Sequence, residues 1–310
     1  MIHYPLEWSQ LEAEVDKQRP TWRDRAAHAT DIFRRRKAYV EPPVGDGEKE
    51  PPAPFWGEVK SLFMGLQHNK CAYCERDLEG AIEFDVEHFR PKRGVALWPP
   101  SQKRPTGQSL RFEFSTGAAM PEGYYLLAYH LRNYAVACKP CNSNLKKNYF
   151  PIAGSRLPGT DNLALLASEK PLLIYPISDL DAAPEDLITF IGPIPIPVAK
   201  AGYDYQRGLV TIEFFELRTR EELMKQRYAR IRDLWTAILA HESGDGRQKS
   251  FGDETIEMML HPSSPHCNCA RAFYQSYLTD RAFAEIIAYE ALDILKRLQN
   301  KKGHADGNKS

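Results

Sequence analysis

The sequence predicts an α+β protein built round a small metal-pinned core. Three observations lead there. Two Cys-x-x-Cys pairs, Cys71/Cys74 and Cys138/Cys141, are separated by 63 residues. Beside them lie two short segments of strand character, IEFDVEHF (82–89) and YAVAC (134–138). Outside this region, long stretches carry apolar residues at helical spacing. Of the 310 residues, 43% are apolar and 11% aromatic, which excludes a disordered chain. Lys+Arg and Asp+Glu both number 41. Net neutrality excludes a globally basic nucleic-acid coat but leaves room for a local basic groove. No apolar run reaches the roughly 18 residues of a membrane-spanning helix, and MIHYPLEWSQ lacks the apolar core of a secretory signal. The expected location is therefore the cytoplasm, with no membrane partner.

In chain order, residues 1–40 read as helical and end in the basic run Arg34-Arg35-Arg36-Lys37. That run reads first as a solvated face, with phosphate binding as the alternative. Residues 41–54, with five prolines and two glycines, read as a linker. A short amphipathic helix follows over 55–68. After the strand at 82–89 comes a Pro-rich loop at 98–108, a helix over 123–134 and the strand at 134–138. The chain after Cys141 reads as a short helix stopped by Pro151. The segments 171–176, 187–192 and 209–215 read as strands. Thr219 and Glu222 form a capping box opening a helix with Leu223, Tyr228, Ile231, Leu234, Trp235 and Ile238 on one side. Thr279 is expected to cap a last helix that turns Phe283, Ile286, Ile287, Ile294, Leu295 and Leu298 to the core. Residues 301–310 read as a mobile tail. For IGPIPIPV (191–198), buried packing is favoured over an interaction surface.

Six cysteines in a chain of this length are too sparse for a disulfide scaffold. Two residues between thiols let one turn present both sulfurs to one ion, and two such knuckles complete a tetrahedral Zn²⁺ site. The gap between the knuckles exceeds the usual 15–20 or so residues of a zinc ribbon, so it must hold structure of its own. Cys267 and Cys269 face no second knuckle and read as small buried thiols rather than a second metal site.

Inside that gap lies Asp85-Val-Glu87-His88-Phe-Arg90-Pro-Lys92-Arg93, with no acid from Phe89 to Arg104. The second knuckle runs into Asn142, Asn144, Lys146 and Lys147. These residue types suit phosphodiester hydrolysis. A histidine neutral near pH 7 can take a proton from water. A carboxylate and an amide oxygen can hold a Mg²⁺ that keeps several waters. Flanking cations bind the nucleic-acid backbone. A zinc saturated by four thiolates is a strut with no open position.

The segment resembles the HNH (ββα-metal) endonuclease motif in its two-knuckle form. The residues that carry the likeness are Cys71-x-x-Cys74, Glu87-His88, Arg132-Asn133 leading to Cys138, and Cys141-Asn142 with Lys146. The resemblance implies an α+β fold with a zinc-pinned ββα-metal core, surrounding helices and a mixed strand and helix C-terminal part. It implies His88 as general base, Glu87 and Asn142 as ligands of a catalytic Mg²⁺ or Mn²⁺, and Asn133 as the residue that orients the base. It leaves Arg90, Lys92, Arg93, Lys146 and Lys147 as expected nucleic-acid contacts. The chain departs from the pattern twice. Glu87 stands where Asp is commoner, with Asp85 or Asn144 as substitute ligands, and the lysine follows Asn142 by four residues instead of three.

EHFRPK, CNSNLKKNYFP, LLIYP and GLVTIEFFELRTREEL extend the likeness to the HNH component of Septu-type and retron-linked antiphage systems, over roughly 70–235. That implies a bacterial host, double-stranded DNA as substrate and an ABC-like ATPase partner, since no GxxxxGK[ST] loop occurs in this chain. One base and one ion make one nick, so a homodimer is a further expectation. The implied division is 1–60 helical region and linker, 61–155 nuclease core, 156–300 accessory α+β region and 301–310 tail. A zinc-stabilised nucleic-acid-binding or assembly module without catalysis is the alternative. A thiol-redox protein would need a thioredoxin-like βαβ setting that the sequence lacks.

Overall fold

A computed structural model describes residues 1–41, 51–78, 80, 83–100 and 110–306, the last six as backbone only. Helices α1 (Trp8–Gln18) and α2 (Trp22–Arg36) are separated by Pro20, which cannot donate to a continuous helical ladder. The linker expected at 41–54 and the loop at 98–108 fall largely on 42–50 and 101–109, outside the described residues. A 3₁₀ turn, Trp56–Val59, leads into α3 (Lys60–Leu66). Both expected core strands form: β1 (Phe84–His88) pairs antiparallel with β2 (Tyr134–Cys138), with His88 opposite Tyr134 and Phe84 opposite Cys138.

The helix expected over 123–134 is absent. Residues 124–129 are all buried, so the segment has no solvated face to give it a period. Two 3₁₀ turns, Tyr125–Leu127 and Leu131–Asn133, take its place. The carbonyls of Leu127 and Ala128, which an α-helix would use in its own ladder, accept instead from Asn133 and from His88 and Tyr134. After β2, Pro140–Lys146 forms a wide-turned π-helix. Lys147, at φ 45°, closes it, so Pro151 is not what stops it.

Beyond lie α4 (Leu163–Leu166), α5 (Pro184–Leu187) and the hairpin β3 (Ile188–Ile191)–β4 (Ile194–Pro197). The stretch 191–198 is thus the tip and second strand of a hairpin. Pro195 and Pro197 are buried, while Ile191 and Ile194 are exposed. Residues 172–175 are buried without forming a ladder. The Leu172 and Leu173 carbonyls accept from the side chains of Thr211 and Arg207. The predicted strand at 209–215 belongs to α6 (Gly202–Phe214). There a β-branched run is overridden by close packing on α5 and the hairpin: a Cβ on Gly208 would sit 2.6 Å from the Leu187 carbonyl and 3.1 Å from Pro197 Cβ.

Helix α7 (Glu221–His241) buries Leu223, Ile231, Leu234, Trp235 and Ile238 as expected. The capping box does not form. Arg220 is the N-cap without a side-chain cap bond, and the Thr219 amide is spent on the Glu216 carbonyl. Helices α8 (Gly246–Leu260), α9 (Cys267–Thr279) and α10 (Arg281–Asp306) complete the chain. Thr279 ends α9; Asp280 caps α10 through the Phe283 amide. The inner face of α10 is Ala284, Ile287, Ala288, Ala291 and Leu295, with Phe283 and Ile286 outside. Residues 301–306 continue that helix, and 307–310 lie outside the described residues. The architecture is mixed α+β with two small antiparallel sheets.

Side chains cross from the core to the C-terminal part. Asn268 on α9 donates to the carbonyls of Met1 and Ile188, at 2.9 and 3.0 Å. Buried Glu75, next to the first knuckle, receives the Asn268 amide at 3.3 Å and the Cys267 thiol at 3.5 Å.

Candidate functional site

The two knuckles meet although 63 residues separate them, because the β1–β2 hairpin closes that loop. Cys138 ends β2 and Cys141 lies in the π-helix. Cys71 and Cys74 flank a turn held to β2 by Ala72, whose amide donates to the Val136 carbonyl at 3.0 Å. All four thiols are buried, and their sulfurs lie within 4.8 Å of one another. Four thiolates about 2.3 Å from one Zn²⁺ sit about 3.8 Å apart. Cys74 Sγ and Cys138 Sγ are 3.8 Å apart. The donor set and its spacing fit a structural zinc.

The sequence reading missed the cations that serve this cluster. Arg220, at the start of α7, donates to Cys141 Sγ at 3.2 Å. Burial opposes its charge, but the Cys141 and Cys74 sulfurs outweigh that and raise its pKa. Arg76 feels the Cys138 and Cys74 sulfurs and also pairs with Glu83 and Glu222. Bonds from Cys141, Cys71 and Cys74 hold the Cys138 thiol well below its ordinary range, while burial pushes the Cys71 and Cys141 thiols up.

Glu87 and His88, at the end of β1, and Asn142, on the π-helix, line one cleft of about 360 Å³. Trp56, Val86, Pro91, Lys92, Arg93, Lys147 and Asn148 complete its walls. His88 is 6% exposed, and its Nε2 lies 2.9 Å from the Ala128 carbonyl. A carbonyl can only accept, so Nε2 carries the proton and Nδ1 keeps its lone pair. The rings of Trp56 and Tyr134 stand edge-on to the imidazole at 5.0 and 5.1 Å. Burial, then Lys92, push the His88 pKa well below its usual value, so the ring is a neutral base at pH 7.

Asn133 fixes the connection that leaves β1. Its Oδ1 accepts the Arg90 amide at 2.8 Å, and its Nδ2 donates to the carbonyls of Arg90 and Leu127 at 3.0 and 3.1 Å. It does not line the cleft; it holds the backbone two residues beyond the base.

Two of the five expected nucleic-acid contacts are turned inward. Arg90 is 5% exposed, ion-paired with buried Glu169 and packed 4.7 Å over the Phe150 ring. Lys146 is fully buried, 3.1 Å from Glu87 Oε1 and 3.4 Å from the His88 carbonyl. Burial pushes Glu87 up and Lys146 down, and each partly restores the charge of the other. Lys92, Arg93 and Lys147 stay at the cleft. The substitute ligands Asp85 and Asn144 are exposed and do not line it.

The π-turn explains the one-residue departure at the lysine. The Lys147 amide donates to the Asn142 carbonyl at 2.8 Å, five residues back rather than four. Such a turn absorbs one extra residue, so Lys146 reaches Glu87 although it follows Asn142 by four.

Part of the chain is similar to Septu protein PtuB of Bacillus mycoides (strain KBAB4). The two are 32% identical over 125 residues, which cover 39% of this chain and 35% of that protein. The chain thus matches about a third of the length of this curated relative. No family model and no solved structure matches the chain. The likeness to the Septu protein is distant, and it accompanies a cysteine cluster able to hold zinc. Among the described residues no helix is long and apolar enough to cross a membrane.

Proposed function

We propose that this chain is a metal-dependent HNH-type endonuclease that hydrolyses phosphodiester bonds of double-stranded DNA. One observation carries the reading: a neutral, buried histidine whose Nε2 is committed to a backbone carbonyl shares a cleft with a carboxylate and an amide. His88 Nδ1 takes the proton of the attacking water. The oxygens of Glu87 and Asn142 suit a hard divalent ion, Mg²⁺ or Mn²⁺, that would offset charge on the phosphate and the leaving oxygen. Lys92, Arg93 and Lys147 face the substrate's phosphates. Asn133 keeps the backbone beyond the base in place, and the zinc cluster anchors the far end of the hairpin.

The likeness to the Septu protein supports a role as nuclease effector of a bacterial antiphage defence system, in the cytoplasm, with an ABC-like ATPase as partner. The nuclease unit in this reading is 61–155. With one base per chain, double-strand cleavage calls for a homodimer or two sequential nicks. A non-catalytic zinc-stabilised binding module is the second reading, favoured by the Lys146 ammonium that already neutralises Glu87.

Nicking of supercoiled plasmid with Mg²⁺ or Mn²⁺, run beside His88→Ala, separates the two. Cleavage by the wild type alone supports the enzyme. Binding without cleavage by either protein supports the module.

A further inference from the structure

The basic end of α2 lies outside the nuclease core, yet aromatic rings connect it to the cleft. Lys37 closes α2 in a left-handed turn at φ 52°, and Tyr39 follows two residues later. The Tyr39 ring packs 4.9 Å from Phe33 on α2 and 6.5 Å from Trp56, the residue edge-on to His88. Lys92 Nζ and Arg93 Cζ lie 5.6 and 5.2 Å from that same Tyr39 ring. Lys92 also sits 4.2 Å over Trp56.

The cations of α2 divide into two sets. Arg23 pairs with Asp16, Arg25 with Glu58, and Arg34 with Asp31 and Asp161. Arg35, Arg36 and Lys37 are exposed and have no ion-pair partner among the described residues. Lys147, at the cleft, is exposed and likewise unpaired among them. Arg93 pairs with Glu41, two residues after Tyr39. In a chain of zero net charge, three adjacent unpaired cations beside a cleft walled by more cations form a local positive track.

We propose that Arg35, Arg36 and Lys37 extend the cleft into a binding track for the nucleic-acid backbone, engaging phosphates away from the one that is cleaved. The proposal rests on the nuclease reading of the cleft. It specifies that reading further: the substrate is a polyanion longer than the cleft, gripped by the N-terminal helices as well as by the core.

The test is the salt dependence of binding to a fluorescein-labelled DNA duplex, by anisotropy, without added divalent ion. Zinc-loaded full-length His88→Ala serves as the background. Adding Arg35→Ala/Arg36→Ala/Lys37→Ala should lower the slope of log K against log[salt] by about 2–3, at about 0.9 for each phosphate that is no longer neutralised. Adding Lys296→Ala/Arg297→Ala, two exposed cations of α10, should leave it unchanged. Equal slopes for the triple variant and the background overturn the track, as does an equal fall in the α10 variant. A background that binds no duplex overturns it as well. Plasmid nicking by the wild type is read separately. If the wild type nicks and the slope is unmoved, the track alone fails. If the wild type does not nick while the slope falls, the nuclease reading fails and the binding surface stands.

Discussion

Replacing Lys146 with methionine removes one charge from a place where another must remain. The Lys146 and Glu87 side chains are 0% and 4% exposed, and their charged atoms are 3.1 Å apart. Methionine keeps most of the volume, so the packing loss is small. Deleting one partner of a buried pair costs about 3–5 kcal/mol, because the survivor is desolvated and uncompensated. Protonation sets a ceiling. Holding a proton at pH 7 on a carboxylate of ordinary pKa near 4.3 costs about 3.7 kcal/mol, at about 1.36 kcal/mol per pH unit. The expected loss at pH 7 is therefore about 3–3.5 kcal/mol. The sign of its pH dependence follows from linkage. In Lys146→Met the folded pKa of Glu87 rises above the unfolded value, so the deficit is largest above the folded pKa. It shrinks as pH falls toward the unfolded pKa. At pH 6 it should be about 2 kcal/mol. Urea denaturation of zinc-saturated protein, followed by tryptophan fluorescence, measures both. Glu87→Leu/Lys146→Met, which removes both charges, should recover most of the loss. A deficit under about 1 kcal/mol at pH 7, or one unchanged between pH 7 and 6, would refute the burial argument.

Metal analysis should give one zinc per chain, and a zinc chelator should unfold the β1–β2 region; well under one zinc per chain removes the scaffold. Asn133→Ala strips partners from one buried amide and two carbonyls and should cost about 3–5 kcal/mol in urea, while a loss under about 1 kcal/mol speaks against the clamp. Because His88 is held well below its usual pKa, nicking should stay level from pH 8 to 6 and fall only at lower pH. A midpoint at or above about 6.5 contradicts the buried, neutral base.

The legible parts of the sequence were those where chemistry is local. Two Cys-x-x-Cys turns announce their geometry within four residues each. Strands β1 and β2 alternate or run apolar over five residues between clear boundaries. The helices α1, α2 and α7 carry a solvated face and hence a period. Illegible parts were those buried on all or nearly all sides. YYLLAY at 124–129 is buried throughout, and LVTIEFF at 209–215 leaves only Leu209 and Glu213 half-buried, so the helical period is barely written in either. The first became a 3₁₀ turn because Asn133, His88 and Tyr134 claim its carbonyls. The second became a helix because Gly208 allows close approach to the hairpin. His88 is 40 residues from Ala128, whereas Asn133 and Tyr134 each lie six residues from the carbonyl they bind.

The cations teach a sharper lesson about the cleft. Arg90, Lys92, Arg93, Lys146 and Lys147 form an acid-free series in sequence, and a count of charge treats them alike. Folding separates them by which carboxylate each can reach. Glu169, 79 residues from Arg90, draws it inward over the Phe150 ring. Glu87 draws Lys146 inside, and the π-turn supplies the reach. Lys92, Arg93 and Lys147 remain at the cleft, and Arg35, Arg36 and Lys37, at the end of a helix that the motif does not include, add exposed positive charge. A charge belongs to a candidate binding surface only after every buried carboxylate has taken its partner. In a chain with 41 acids and 41 bases, that pairing, rather than the net charge, decides where a polyanion can bind.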